Sequence, residues 1–227
     1  TVWDGFGSTE TAVIITRPLD TFRSETWRLA HDGTTQKLNL PERVGVSGVI
    51  DGRLIFSPDE AWSFDGQDYP AGSLLALPLG VLGETRLDIA IGRDSALVFA
   101  PTARQSLQQV AVLSDSLIAA ITDNVAGGLT RFTPGAQGWT ATPLPVPANI
   151  AVGLGDSSKS RGEVFVSTQG FLVPPTLSLA DADADVVQVL VARPLVHDGQ
   201  QHVARWIPED HVLQNHRAGA DPVASVG

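Results

Sequence analysis

The chain has 227 residues, 43% hydrophobic and 18% charged, enough for one large all-β domain or two small ones and too apolar for a disordered segment. A balance of 15 Lys plus Arg against 25 Asp plus Glu gives a net charge of -10, which repels phosphate backbones and anionic lipid, so neither nucleic acid nor a membrane is an expected partner. The absence of cysteine rules out a disulfide framework and a thiolate metal site, and leaves the compartment open between cytoplasm and periplasm. No apolar run approaches the roughly 20 residues of a membrane helix, no basic segment leads into an apolar one, and no initiator methionine opens the chain. The expectation is a sequence that begins inside a larger protein or after processing.

From the N-terminus onward the dominant signal is short β-branched runs broken by Gly, Asp, Asn and Pro, at the spacing of antiparallel sheets. Residues 11 to 40 supply the strands of a first, incomplete unit. Val44 to Leu79 follows with V-G-V-S-G-V-I, the turn Asp51-Gly52, R-L-I-F-S, an irregular connection rich in Asp, Trp and Gly, and S-L-L-A-L-P-L. The cleanest unit is Ser106 to Pro145, where Q-Q-V-A-V-L, L-I-A-A-I-T, L-T-R-F-T and W-T-A-T-P-L are separated by three tight turns. Four strands in about 40 residues is the length of a propeller blade. Ala148 to Ala192 repeats the pattern with N-I-A-V-G-L, G-E-V-F-V-S-T, P-T-L-S-L and V-V-Q-V-L-V-A.

The expected fold is therefore all-β, a partial β-propeller of about four consecutive four-stranded antiparallel blades over residues 1–193, with residues 194–227 as a polar connector or tail. A β-sandwich is the competing architecture. In a sandwich each sheet has one inner face, whereas in a propeller both faces of a blade are covered by neighbours. Leu117 to Ile121 and Val186 to Ala192 are apolar on both faces, which favours stacked blades.

No residue stands out as catalytic, cofactor-binding or metal-ligating. The run Asp181-Ala182-Asp183-Ala184-Asp185 alternates carboxylates like a calcium loop, but the glycine and glutamate such a loop requires are replaced by Val186 and Ala192, so a solvated hairpin turn is expected. His197, His202, His211 and His216 lie in the polar tail at spacings that match no zinc motif. Asp115 and Asp123 could be imagined as paired glycosidase carboxylates, yet one sits in a turn and the other at a strand end, where aspartate commonly satisfies turn amides. Ser114 and Ser157 have no elbow glycines around them and no assignable histidine. Trp3, Trp27, Trp62, Trp139 and Trp206 recur about once per blade, as packing anchors do.

Four segments carry a resemblance to a known family. In Gly162 to Leu179 (G-E-V-F-V-S-T-Q-G-F-L-V-P-P-T-L-S-L) a strand runs into an aromatic corner and a double-proline turn; Pro174 and Pro175 remove two successive backbone donors, so this is a bend or an edge, with Phe171 expected as an apolar plug beside it. In Asp68 to Leu79 (D-Y-P-A-G-S-L-L-A-L-P-L), Pro70 and Gly72 punctuate a loop that re-enters the sheet at Leu74. With Leu97 to Leu107 and Asp123 to Val125 added, the chain resembles the β-propeller of the prolyl oligopeptidase family of serine peptidases over most of residues 11 to 193.

That resemblance implies about the C-terminal half of a seven-bladed propeller, which in the family caps an α/β-hydrolase domain, restricts access to short peptides and works beside a catalytic centre that cleaves after proline. The family's catalytic Ser, Asp and His have no counterparts here, and the G-x-S-x-G elbow that would hold the serine is absent. Residues 194–227 only weakly resemble the family's connector to the hydrolase. Two functions follow as expectations: the non-catalytic, access-controlling propeller portion of such a peptidase, partnered by its hydrolase domain and short peptides, or a free-standing repeat module that binds a peptide or protein. No cofactor is implied. Uncovered terminal blades should also drive self-association.

Overall fold

The computed structural model describes residues 13–30, 32–82, 96–181 and 186–192. Strands β1 (Val13–Pro18), β2 (Ser24–Leu29) and β3 (Thr35–Lys37) form a three-stranded antiparallel sheet. Three four-stranded antiparallel sheets follow. The first contains β4 (Val44–Ile50), β5 (Arg53–Pro58), β8 (Leu74–Pro78) and β9 (Leu97–Phe99), with the small hairpin β6 (Trp62–Phe64) and β7 (Gln67–Tyr69) inserted in its middle connection and a single helical turn, α1 (Leu79–Leu82), after β8. The next comprises β10 (Gln105–Val112), β11 (Leu117–Asp123), β12 (Ala126–Gly135) and β13 (Gly138–Leu144). The last comprises β14 (Ile150–Ser158), β15 (Glu163–Gly170), β16 (Thr176–Asp181) and β17 (Val186–Ala192).

Local sequence explains the turns. Asp51-Gly52 and Asp65-Gly66 have positive φ at both residues, the condition of the type I′ hairpin, whose twist matches that of the strands it joins. At Pro70 to Ser73 the chain bends back into the sheet: Gly72 has φ +73, and the Ser73 amide and hydroxyl both donate to the Pro70 carbonyl, at 3.2 and 2.8 Å. The intervening hairpin is held by Trp62, which stacks on Phe64 and Tyr69 with ring centroids 5.0 and 6.0 Å away and meets Phe56 edge-on at 5.6 Å.

Burial along the central strands settles the architecture. In β5, Leu54 and Phe56 join a core with Ile14 and Leu38 of the first sheet, while Ile55 between them joins a different core with Val112, Leu117 and Ala119 of the third. In β8 the same split sends Leu75 and Leu77 to one side and Leu74 and Ala76 to the other. In β11, Leu117 and Ala119 face the second sheet, whereas Ile118 and Ala120 pack with Val164, Val166 and Ala180 of the fourth. Alternate residues of one strand thus enter separate cores. A sandwich offers only one interior layer, so the sheets are stacked blades of a propeller. Each fully buried Leu or Ile contributes about 1.5–3 kcal/mol; exposed ion pairs such as Arg17–Glu25 contribute little beside that.

The innermost strands β4, β10 and β14 run in the same direction. A Cβ on Gly48, near the end of β4, would lie 3.2 Å from Cγ2 of Val112 at the end of β10, and Lys159, just past β14, donates to the Val49 carbonyl at 3.2 Å. The molecule therefore has an entry end, where these strands start, and an exit end, where they finish.

Two expectations are corrected. Phe171 plugs nothing: a hydrogen bond from the Gly170 amide to the Val173 carbonyl (3.0 Å) closes a turn that lifts Phe171 and Leu172 beyond the blade, where they are 95% and 80% exposed. Strand β17 is not covered on both faces; Val189 and Val191 are 55% and 59% exposed, because β17 is the outermost strand of the fourth blade and no described blade packs beyond it. The first blade has three described strands rather than four, and the second finds its last strand in Leu97–Phe99. Trp27, Trp62 and Trp139 fall one to each of the first three blades; Trp3, Trp206, the tail 194–227 with its four histidines, and Asp183 and Asp185 lie outside the described residues.

Packing between the third and fourth blades is tightest at Gly127, where a Cβ would lie 2.8 Å from the Ile150 carbonyl oxygen and 2.9 Å from the Val152 amide nitrogen. Gly127→Ala should destabilise the protein by about 1–3 kcal/mol, since backbone rather than a movable side chain must give way. Gly45→Ala, whose Cβ would meet only the Ser57 carbonyl at 3.9 Å, serves as the neutral control. Urea midpoints that match for the two variants would contradict this packing.

Candidate functional site at the inner edge of the blades

The isolated candidates from the sequence do not converge. Asp115 and Asp123 lie at opposite ends of β11, about 26 Å apart at 3.3 Å per residue, well beyond the roughly 5–9.5 Å of a glycosidase pair. Asp115 accepts from the Ser116 hydroxyl at 3.1 Å and Asp123 from Arg104 at 3.1 Å, which are turn and strand-end roles. Ser114 and Ser157 are exposed, and no histidine is among the described residues, so neither serine has a described base. No group of carboxylates and imidazoles close enough to hold a metal occurs among the described residues.

What the fold does bring together is the inner edge, made by β4, β10 and β14. Each of these strands carries a break in register against its partner: between Val46 and Gly48 in β4, between Leu107 and Gln109 in β10, and between Leu154 and Ser157 in β14. A bulge bends the strand and leaves a residue unpaired. The bulged positions are Ser47, Gln108, and Gly155 with Asp156, all small or polar, so the inner edge presents hydrogen-bonding groups in place of an apolar wall.

A bond between blades helps to fix the spacing of that edge. The Gln109 side-chain oxygen accepts from the Leu154 amide at 2.7 Å, tying β10 to β14. Within single blades, Gln108 Nε2 donates to the Ser106 hydroxyl at 2.9 Å, and Ser167 donates to the Gly153 carbonyl at 3.3 Å. Chemically this surface offers hydrogen-bond donors and acceptors. It contains no nucleophile–base pair among the described residues. The bulges escaped sequence reasoning, although glycine inside a strand run, at Gly48 and Gly155, is the signal that could have located two of them.

Electrostatics concentrate in the first blade. Asp20 accepts from the Phe22 and Arg23 amides, both at 2.8 Å, and from Arg23 Nε at 2.7 Å; these bonds, the Phe22 amide foremost, hold its carboxyl below the usual range. Glu25 is lowered chiefly by Lys37, whose ammonium lies 2.7 Å away, with Arg17 adding to the effect. The Thr34 hydroxyl and amide, at 2.6 and 2.9 Å, lower Asp32.

Stacked blades with a polar inner edge define a partial β-propeller. Comparison with known proteins narrows the class. Over 186 residues the chain is 28% identical to an uncharacterized peptidase of Sinorhizobium fredii, covering 80% of the chain and 25% of that protein. Over 145 residues it is 26% identical to an uncharacterized peptidase of Rickettsia prowazekii, covering 63% of the chain and 20% of that protein. A solved structure of a post-proline cleaving enzyme from Rickettsia typhi superposes with a TM-score of 0.68 at 23% identity, covering 83% of this chain and 27% of that one. No family model matches. The resemblance to the prolyl oligopeptidase family thus holds in sequence relatives that are peptidases and in a shared propeller fold. The chain spans about a quarter of the length of the curated relatives it matches.

The lowered carboxyls set a pH dependence. Asp20, Glu25 and Asp32 have folded values below their ordinary ones of 3.8, 4.5 and 3.8, so their stabilisation is complete above those values and is lost as pH falls through the lower folded ones. Urea midpoints should hold steady from about pH 7 to 5 and decline below about pH 4. Asp20→Asn keeps an oxygen for the two amides but loses the charge, and should show a smaller decline; a curve parallel to that of the unsubstituted protein would contradict the assignment.

Proposed function

We propose that this chain is the non-catalytic propeller portion of a prolyl-oligopeptidase-like serine peptidase, where it controls the access of short peptides to a hydrolase domain. The observation that carries this reading is the propeller fold shared with a post-proline cleaving enzyme, joined to sequence similarity with peptidases about four times the length of the matched segment. The absence of a G-x-S-x-G elbow from the sequence supports a division of labour in which the nucleophile belongs to another domain. The stacked blades offer a rigid frame, and the bulged inner strands offer backbone-binding groups at its edge. An extended peptide can satisfy such groups along its length, while a folded protein cannot approach them all; size selection follows from geometry.

The open flank of the fourth blade fits a piece of a larger ring. Phe165, Leu177 and Val191 are 40%, 40% and 59% exposed on the face turned away from the third blade, beside a groove of about 520 Å³. A further blade would cover them. In its absence this flank favours self-association of the isolated chain.

The purified 227-residue chain should show no turnover of a chromogenic prolyl peptide, whereas the intact gene product should hydrolyse it and lose that activity to a serine-directed inhibitor. Turnover by the chain alone, surviving repurification and abolished by the inhibitor, would refute the proposal. Equally damaging would be an intact gene product that binds peptides without cleaving them, the behaviour of a free-standing module.

A further inference from the structure

We infer that the cleft between the first and second blades is a binding site for a small uncharged amide that carries an apolar side chain. Among the described residues no part of β4, β10 or β14 lines this cleft, so it is separate from the inner edge and independent of the peptidase reading.

Local strand geometry opens the cleft. The Leu38 amide donates to the Thr26 carbonyl at 2.9 Å and the Ser24 amide to the Glu42 carbonyl at 2.8 Å, so the chain after β3 touches β2 at two points. Between them residues 39–41 bow away: the Asn39 amide turns to the Leu82 carbonyl at 2.7 Å, and the Leu40 amide closes on the Leu38 carbonyl at 2.9 Å. In an extended strand of an antiparallel sheet, the N–H and C=O of one residue point to the same side. The Thr26 amide and the Ser24 carbonyl therefore face the gap, and neither has a main-chain partner there among the described residues. The resulting space is about 470 Å³, the size of a small-molecule site.

Its lining asks for a polar group. Thr26 is 2% exposed, yet its hydroxyl oxygen has no hydrogen-bond partner, although buried hydroxyls are nearly always paired. Lys37 spends one of the three N–H groups of an ammonium on Glu25, at 2.7 Å, and keeps the others. The exposed Asn39 carboxamide makes no hydrogen bond among the described residues. The remaining wall is apolar, built from Leu38, Leu40, Phe64 and Val81 of the core shared by the two blades. Water would satisfy the polar groups and gain nothing from that wall; an amide with an apolar side chain uses both.

Charge selects against ions. Glu25 pairs with Lys37 and Arg17, and Glu42 pairs with Arg23 at 3.3 Å, so the ionised side chains lining the cleft already have partners. A charged ligand must break into these pairs, whereas an amide brings one acceptor and one donor and leaves them intact. The main-chain bonds at Asn39 and Leu40 hold the bow open beforehand, which spares the ligand the cost of ordering it.

N-acetyl-leucinamide is the probe. Titrated into the isotopically labelled 227-residue chain, it should shift the amide signals of Thr26, Asn39, Leu40 and Val81 saturably, with a dissociation constant on the order of 1 mM for so small a molecule. N-acetyl-leucine, which ends in a carboxylate, should bind several-fold more weakly. Leu40→Trp should fill the cleft and weaken binding by about tenfold or more, and Asn39→Ala should weaken it several-fold with an unchanged urea midpoint. Asn39 is exposed, so its variant decides the matter even where Leu40→Trp fails to fold. Shifts that do not saturate, shifts centred on Gln108 of the inner edge or Val191 of the open flank, or equal binding by Asn39→Ala and the unsubstituted chain would overturn the inference. Hydrolysis of a prolyl peptide by the intact gene product judges the peptidase reading separately, and failure of either leaves the other standing.

Discussion

Everything in this molecule depends on strands that bury both faces against different neighbours. Ile55 sits between Leu54 and Phe56, yet its side chain joins another core, and Leu117 to Ala120 alternate in the same way. A strand with only one apolar face could be satisfied by a single partner sheet. These strands cannot be, so each blade needs a companion on either side, and the companions need theirs. The array ends with an uncovered flank because nothing in the described chain lies beyond the fourth blade. Hydrogen bonds such as Gln109 to Leu154 set the spacing of blades whose association is driven by apolar burial.

How far the sequence exposed this plan varied with the turns. The unit from Ser106 to Pro145 was legible strand by strand because short Ser, Asp, Asn and Gly turns interrupt apolar runs, and its four strands match β10 to β13. The Val44 to Leu79 unit was legible for three strands only; its fourth, Leu97–Phe99, is separated from β8 by a long stretch that local pattern cannot bridge. An apparently irregular connection proved to hold the β6–β7 hairpin, whose strands of three residues each are too short to show a period of two. Double proline correctly announced a bend at Pro174, but the fate of Phe171 depended on what stands beyond the blade, and that is tertiary information.

The inner edge was the least legible part. A bulge is one extra residue, and Ser47 and Gln108 look like any other strand residues until the register across the hairpin is known.

The parallel stacking of the blades also makes the protein a short one-dimensional array. Blades touch mainly their immediate neighbours, so the stability of each is the sum of its own sheet and the interfaces on its two sides. The second and third blades have interfaces on both sides, while the fourth has one. Amide protons of β15 and β16 should therefore exchange with solvent by local opening of the last blade, well before those of β5 and β11, which must wait for both flanking interfaces to part. Covering the free flank would slow that exchange at the edge and leave the centre almost unchanged, so a partner's arrival could be read from the motion of one blade.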